Sequence, residues 1–499
     1  MTVPEPHLAG GCPYAERPGV TPLYGRTVAQ DPHGLYARMR AEHGPVAPIE
    51  LEPGVEAWLV IGYQELLELT RNEQQFSKDS RHWRVAAEGR LRPDSPLVPM
   101  TMWRPTLNNL DGAEHQRLSA AVGDTLARAD QKRLRETSEA AALALIESWG
   151  PDGTADLVSQ FTRRLPPLVF TTLLDLPDED GPKLLGLIMN VVDSGADSHR
   201  ASVELFGLLG ELVRRRREHP GEDLVSWLLG HSAGLSDEEA VHNLLVFLVA
   251  GNETCVNWIG NAVRLLLVDR RFRGSLTGGR ATVADALEEV LWRDPPIQNF
   301  PGRWATSDTV LGGQYISRGD MLVLGIAGAN DDPAVHGPND LSGNRAHLAW
   351  SAGRHVCPAK DPARLIVETA IETLLHCLPD LQLAVPAHEL EWRPSPWSRA
   401  LASLPVLYSA FAPPRPTDPV PFPSAGSAGS ADPAPADPAP AASAPVTPER
   451  TAWTPQPQPG SAPTDSTPPE PTSSPRTGSS ALSDLRRRLS SLVGWWSGR

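Results

Sequence analysis

The chain has 499 residues, with 60 Asp and Glu against 45 Lys and Arg and a formal net charge of -15 at pH 7. That acidity argues against general binding to nucleic-acid phosphate, which needs a clustered basic face. Four cysteines without regular spacing exclude a disulfide framework or zinc-ribbon pattern and suit a reducing cytoplasm, and no apolar run approaches the roughly 20 residues that cross a bilayer.

Residues 1–30 read as an N-terminal extension, whose opening Met1-Thr2-Val3-Pro4-Glu5-Pro6-His7 lacks the basic and then apolar character of a signal peptide. Alternation in Val46-Ala47-Pro48-Ile49-Glu50-Leu51 and Ala57-Trp58-Leu59-Val60-Ile61 predicts a hairpin, after which the spacing turns helical from Tyr63 to Phe76. From Ala113 to about Val268 the pattern is overwhelmingly helical. Inside it, Ser236-Asp237-Glu238-Glu239 has the signature of a capping box and opens a long apolar helix that carries Ala250-Gly251-Asn252-Glu253-Thr254. Beyond Asp308 the period shortens, and Thr309-Val310-Leu311, Tyr315-Ile316 and Met321-Leu322-Val323-Leu324 predict short strands. The expected fold class is mainly α with small β-sheets.

Trp350-Ser351-Ala352-Gly353-Arg354-His355-Val356-Cys357 then sets one cysteine at the end of a Gly-containing loop, before a helix expected to begin near Pro358. A helix N-terminus behind a thiolate helps hold its charge, so Cys357 is a candidate metal ligand, whereas Cys12, Cys255 and Cys377 read as small core residues. Residues 413–480 are dominated by Pro, Ala, Ser, Thr and Gly and predict an extended, mobile linker. In 481–499, Leu482, Leu485, Leu489, Leu492, Val493 and Trp496 share one helical face with Arg486, Arg487 and Arg488 around it. This basic amphipathic helix suits an anionic membrane surface or the groove of a protein partner.

From about 31 to 412 the chain resembles the cytochrome P450 family of haem-thiolate monooxygenases, in its soluble bacterial form. Cys357 and the Ala250–Thr254 segment resemble the family's cysteine-ligand loop and oxygen-binding helix. Asp111-Gly112-Ala113-Glu114-His115-Gln116-Arg117-Leu118, Pro295-Pro296, Arg303-Trp304-Ala305-Thr306, Leu311-Gly312-Gly313, and Ala329-Asn330-Asp331-Asp332-Pro333 with Asn344-Arg345-Ala346-His347-Leu348-Ala349-Trp350 follow in the family's order. The resemblance implies haem b bound at Cys357, with Ala250, Gly251 and Gly353 against the cofactor and His115, Arg303 and His355 on its propionates. Ser119 stands where a second basic residue often follows the first His, with Arg117 the nearest candidate to compensate. Thr254 is expected to return a hydrogen bond to the Ala250 carbonyl, making room for O2, and Glu253 to feed protons toward it. Helices within 178–235 would roof a pocket for a small apolar substrate. NAD(P)H would act indirectly, through a ferredoxin reductase and a ferredoxin, the ferredoxin docking near Arg354 and Lys360.

The chain departs from the family where Glu-x-x-Arg precedes the paired prolines. Glu288-Glu289-Val290-Leu291-Trp292-Arg293-Asp294-Pro295-Pro296 puts Trp292 in the Arg position, and Pro338-Asn339-Asp340-Leu341-Ser342-Gly343 lacks the second Arg of the usual triad. The expectation is that Trp292 packs in place of the Arg while Glu289 pairs with Arg293 or reaches solvent. Trp350, Ser351 and Ala359 also replace a usual Phe, Gly and Gly. The altered pattern resembles an actinobacterial subgroup often encoded beside small-GTPase signalling modules. A second reading is therefore a haem-binding sensor or scaffold in a membrane-associated small-GTPase complex, peripheral to the inner membrane face.

Overall fold

The hairpin forms as its alternation predicts: Val46–Glu52 and Val55–Val60 pair antiparallel, from Val46 opposite Val60 to Glu50 opposite Glu56, with an irregularity before Glu52. The structure is a computed structural model that describes residues 19–24, 31–149, 153–177, 180–192, 198–269, 283–335, 344–409 and 478–496. Its helices are α1 (Pro32–His43), α2 (Tyr63–Arg71), α3 (Gly112–Ala127), α4 (Gln131–Glu147), α5 (Leu165–Leu173), α6 (Asp180–Val192), α7 (Ser198–Glu218), α8 (Leu224–Leu229), α9 (Asp237–Val268), α10 (Val283–Arg293), α11 (Ile326–Asn330), α12 (Lys360–Cys377) and α13 (Gly478–Trp496), besides short turns of helix.

At 32 residues α9 is about 48 Å long. The capping box forms in full: the Ser236 hydroxyl accepts the Glu239 amide at 3.1 Å, and the Glu239 carboxylate accepts the Ser236 amide at 2.9 Å. Burial of Val241, Leu244, Leu248, Trp258, Ile259 and Val263 makes α9 the central axis, packed by α5, α6, α7, α10 and α12. No helix among the described residues is long and apolar enough to cross a membrane.

A six-stranded sheet lies to one side. With β1 (Thr21–Pro22), β2 (Val46–Glu52), β3 (Val55–Val60), β4 (Phe76–Ser77), β5 (Phe300–Ala305) and β6 (Met321–Leu324), its order is β1-β2-β3-β6-β5-β4. Pairing of Ser77 with Trp304 brings the Arg303 strand against Lys78. Three predictions shift. The helix from Tyr63 ends at Arg71, and Phe76 joins the sheet. The 113–268 run is broken by a strand at Thr154–Asp156. The helix after the cysteine starts at Lys360, two residues past Pro358, with the Ala359 N–H toward the Cys357 sulfur. Linker residues 413–477, most of the 1–30 extension and residues 336–343, including the 338–343 segment without the second Arg, lie outside the described residues, while 478–480, expected in the linker, already belong to α13.

α13 is helical as predicted, but its apolar face is already covered. Leu489, Leu492 and Val493 are 0%, 7% and 2% exposed within the main hydrophobic core, while Leu482 stays exposed. The face expected to meet a membrane or a partner packs on the chain's own body.

Candidate functional site

The cysteine loop is closed by the Cys357 amide, which donates to the Trp350 carbonyl at 2.9 Å. Gly353 has φ +69, and a Cβ there would stand 2.5 Å from the Thr70 carbonyl oxygen, so glycine lets the loop pass the end of α2. Ser351 adopts φ 62, a left-handed conformation costly for a residue with a side chain. Burial pushes the Cys357 thiol up, opposed by the Ala359 N–H and the Lys360 charge. Arg354 and Lys360 lie exposed beside the loop. Cys255 is fully buried, and burial pushes its thiol up to about 12; Cys377 is half-buried, and Cys12 lies outside the described residues.

Three of the predicted residues converge next to this loop. The His115 and His355 rings lie 3.8 Å apart between centroids, and none of their four nitrogens has a hydrogen-bond partner although all are buried. Arg303, 1% exposed, donates to the Phe76 carbonyl at 3.2 Å and the Thr70 carbonyl at 3.4 Å and stands 3.8 Å from Asp111. Buried Lys78 joins them. Burial and then the Arg303 charge push its amine down to about 7, and burial, against the pull of Asp111, takes His355 down to about 3. Among the described residues, Asp111 and Glu73 are the acids that stand near these donors. His355 lies 3.4 Å from Asp111 and 3.7 Å from Glu73, and Asp111 is already held by the Ser77 hydroxyl at 2.6 Å and the Lys78 amide at 2.8 Å. Such a set suits a ligand that brings its own carboxylates. Arg117 does not compensate for Ser119: it points away, to the carboxylates of Glu114 and Glu239 and the Ala233 carbonyl. Lys78 supplies the further cation. A lone lysine before a turn gave no signal in the sequence.

On α9 the Thr254 hydroxyl donates to the Ala250 carbonyl at 2.9 Å, with the Gly251 carbonyl at 3.3 Å, and the helix remains continuous. Ala250 is exposed between buried turns, leaving an open patch. Gly251 faces α5: a Cβ there would lie 3.3 Å from Phe170. Glu253 accepts from Arg393 at 3.4 Å and Asn257 at 3.3 Å, while its second oxygen is buried without a hydrogen-bond partner. Arg393 comes from a distant loop and carried no motif.

The frame around the loop is rebuilt. Trp292 is 2% exposed, and its indole donates to the Asn344 carbonyl at 2.7 Å; Glu289 pairs with Arg293 at 2.6 Å. The buried acid is Glu288, 2% exposed, which meets His347 at 2.8 Å and forms an ion pair with Arg364. Burial pushes the Glu288 carboxyl up, but the His347 hydrogen bond and the Arg364 charge outweigh it and hold the group below its ordinary value. Three segments, α10, α12 and the stretch before Trp350, are thus tied by one carboxylate. Glu288 was visible beside Glu289, but its partners lie 59 and 76 positions away with no pattern linking them.

No family model matches the chain. Among curated proteins it is 33% identical over 394 residues to the vitamin D(3) 25-hydroxylase of Pseudonocardia autotrophica, covering 77% of this chain and 95% of that one. It is 32% identical over 391 residues to the 2-hydroxy-5-methyl-1-naphthoate 7-hydroxylase of Streptomyces carzinostaticus, covering 75% and 95%. It is 31% identical over 400 residues to the cytochrome P450 monooxygenase PikC of Streptomyces venezuelae, covering 77% and 92%. Among solved structures, CYP154C4 of Streptomyces sp. ATCC 11861 matches with TM-score 0.71 at 28% identity, covering 78% and 98%. CYP154A1 of Streptomyces coelicolor A3(2) matches with TM-score 0.68 at 29%, covering 78% and 100%. Likeness of sequence and fold over nearly the whole of these relatives, around a buried cluster of nitrogen donors and a loop cysteine, makes this chain a member of the cytochrome P450 family and a monooxygenase.

Proposed function

We propose that Cys357 is the axial ligand of haem b and that the enzyme inserts one atom of O2 into a small apolar organic substrate in the cytoplasm. Electrons would come from NAD(P)H through a separate ferredoxin reductase and ferredoxin, the latter on the cationic surface of Arg354 and Lys360. The observation that carries the reading is the pair of buried imidazoles, His115 without a hydrogen bond and His355, two residues from Cys357, with only long carboxylate approaches of 3.4 and 3.7 Å, beside Arg303 and Lys78. This donor set fits the two haem propionates, which would take His115, His355, Arg303 and Lys78.

When bound, a thiolate-ligated haem supplies the electron-rich iron that favours O–O cleavage. Cys357 must give up its proton to ligate, and the Ala359 N–H and Lys360 favour that step. Thr254, with its hydrogen spent on the Ala250 carbonyl, presents hydroxyl lone pairs over the open patch and can accept a hydrogen bond there, orienting a proton donor. Glu253 carries protons inward, with Arg393 fixing its outer oxygen. Ala250 forms the open patch itself, whereas Gly251 keeps α9 close to α5 and Gly353 seats the loop on α2, so both act on the cofactor through packing. The helices α6 and α7 would roof the substrate pocket. The relatives named above are hydroxylases or monooxygenases, and the covered face of α13 removes the main motive for the sensor reading.

The test is the carbon monoxide difference spectrum of the reduced protein. A red-shifted Soret band, lost in Cys357→Ala, is expected. A neutral-ligand band, or one unchanged by the substitution, would overturn the assignment.

A further inference from the structure

We propose that α13 is a cis clamp: the chain's own C-terminal helix seats on a built interface at the ends of α4 and α12, the α5–α6 turn and the start of α6, and restrains α6 from there.

Four observations carry it. Leu489, Leu492 and Val493, at spacings that share a face, are almost wholly buried, with Leu485 packed beside them. Gly181, at the start of α6, leaves room for that approach: a Cβ there would stand 3.2 Å from Leu492 Cδ2. Arg486 forms an ion pair with Glu147, the last residue of α4, and its charge reaches Cys377 at the end of α12. Arg488 donates to the Leu176 carbonyl in the α5–α6 turn.

Basic side chains decide between occupants. A helix held for an anionic membrane would keep its arginines free toward solvent, yet among the described residues Arg488 donates to the body's backbone and Arg486, though its side chain is 42% exposed, is paired with Glu147, while Arg487, paired with Asp484 of its own helix, faces outward. An isolated helix of this length is marginal in water, so packing is what fixes it. A covalent tether keeps the helix near its own body however dilute the protein, which favours the chain's own surface over a second copy. The Leu176 turn and the start of α6 are the bed, and α6 packs on α9, so docking ties the C-terminus to an element packed on the helix that carries Glu253 and Thr254. The inference does not depend on which residue ligates a cofactor.

The experiment uses the full-length, haem-loaded protein with a protease site engineered into the 430–445 tract. After cleavage the C-terminal fragment is expected to co-elute with the body on size exclusion, and Leu489→Asp with Val493→Asp to release it. Gly181→Leu, which alters only the bed, should release it too, and in both variants hydrogen exchange should lose protection over 174–188. Separation of the wild-type fragment from the body would overturn the proposal. So would concentration-dependent dimers of the uncleaved chain, or transfer of α13 to phosphatidylglycerol vesicles with unchanged exchange over 174–188.

Discussion

The two sides of the site were built under different constraints. On α9, Glu253 and Thr254 sit where the motif predicts, and Thr254 makes the expected bond to Ala250. Behind the cysteine loop the usual Glu-x-x-Arg is gone, and Glu288, His347, Arg364 and Trp292 tie the same segments together by other means. In the proposed mechanism Glu253 and Thr254 meet the reacting atoms, and such groups must stand at particular points, because proton transfer depends on hydrogen-bond reach. A supporting frame has only to bury its surface and satisfy its charges, and many sets of residues do that.

The largest expected effect tests the frame. Glu288→Gln keeps the shape but leaves Arg364 and His347 without their shared carboxylate. Removing one partner of a buried charged network costs about 3 kcal/mol, the low end of the usual range because Arg364 keeps 22% exposure. Thermal unfolding should show the loss, with haem released earlier on heating. The pH dependence has a definite sign. The Glu288 carboxyl is held below its ordinary value, so its contribution is present above the unfolded carboxylate range and lost as pH falls through the folded value. The acid side of the stability profile should therefore flatten in Glu288→Gln. An unchanged melting temperature and acid profile would show that Trp292 packing holds the frame alone.

On the distal side, Thr254→Ala should leave haem content and melting temperature unchanged while product per O2 consumed falls, with substrate oxidation slowed about 100-fold, the low end for losing a positioned proton-transfer group. If stability falls as much as turnover, Thr254 belongs to the frame and the contrast between the two sides dissolves.

The same contrast explains what the sequence revealed. The α9 capping box and the Thr254 bond rest on neighbours within one element, where spacing alone places the atoms, whereas Arg303 was found through the family resemblance and its strand pairs with Met321–Leu324. The burial of Trp292 and the Glu289–Arg293 pair were also legible, because counting back from Pro295-Pro296 fixes the helix phase. Lys78, Arg364 and Arg393 were not, since each reaches the site from a distant segment and a lone cation has no period. Docking of α13 was hidden for a related reason: amphipathicity shows that a face will be covered, but not by what.

The smallest effect lies within the loop itself. Ser351 occupies the position where the family has Gly, and it keeps the glycine-like backbone, φ 62. A side chain in the left-handed region costs roughly 1 kcal/mol, part of which a glycine returns through the greater freedom of its unfolded chain. Ser351→Gly should therefore raise stability by about 0.5–1 kcal/mol, read as a melting shift of about 1–2 °C. The gain should persist in a Glu288→Gln background, because loop strain and the buried charge network involve separate groups and separate sites add. A gain that vanishes there would mean that the network is what forces Ser351 into its conformation, joining the loop to the frame as a single unit.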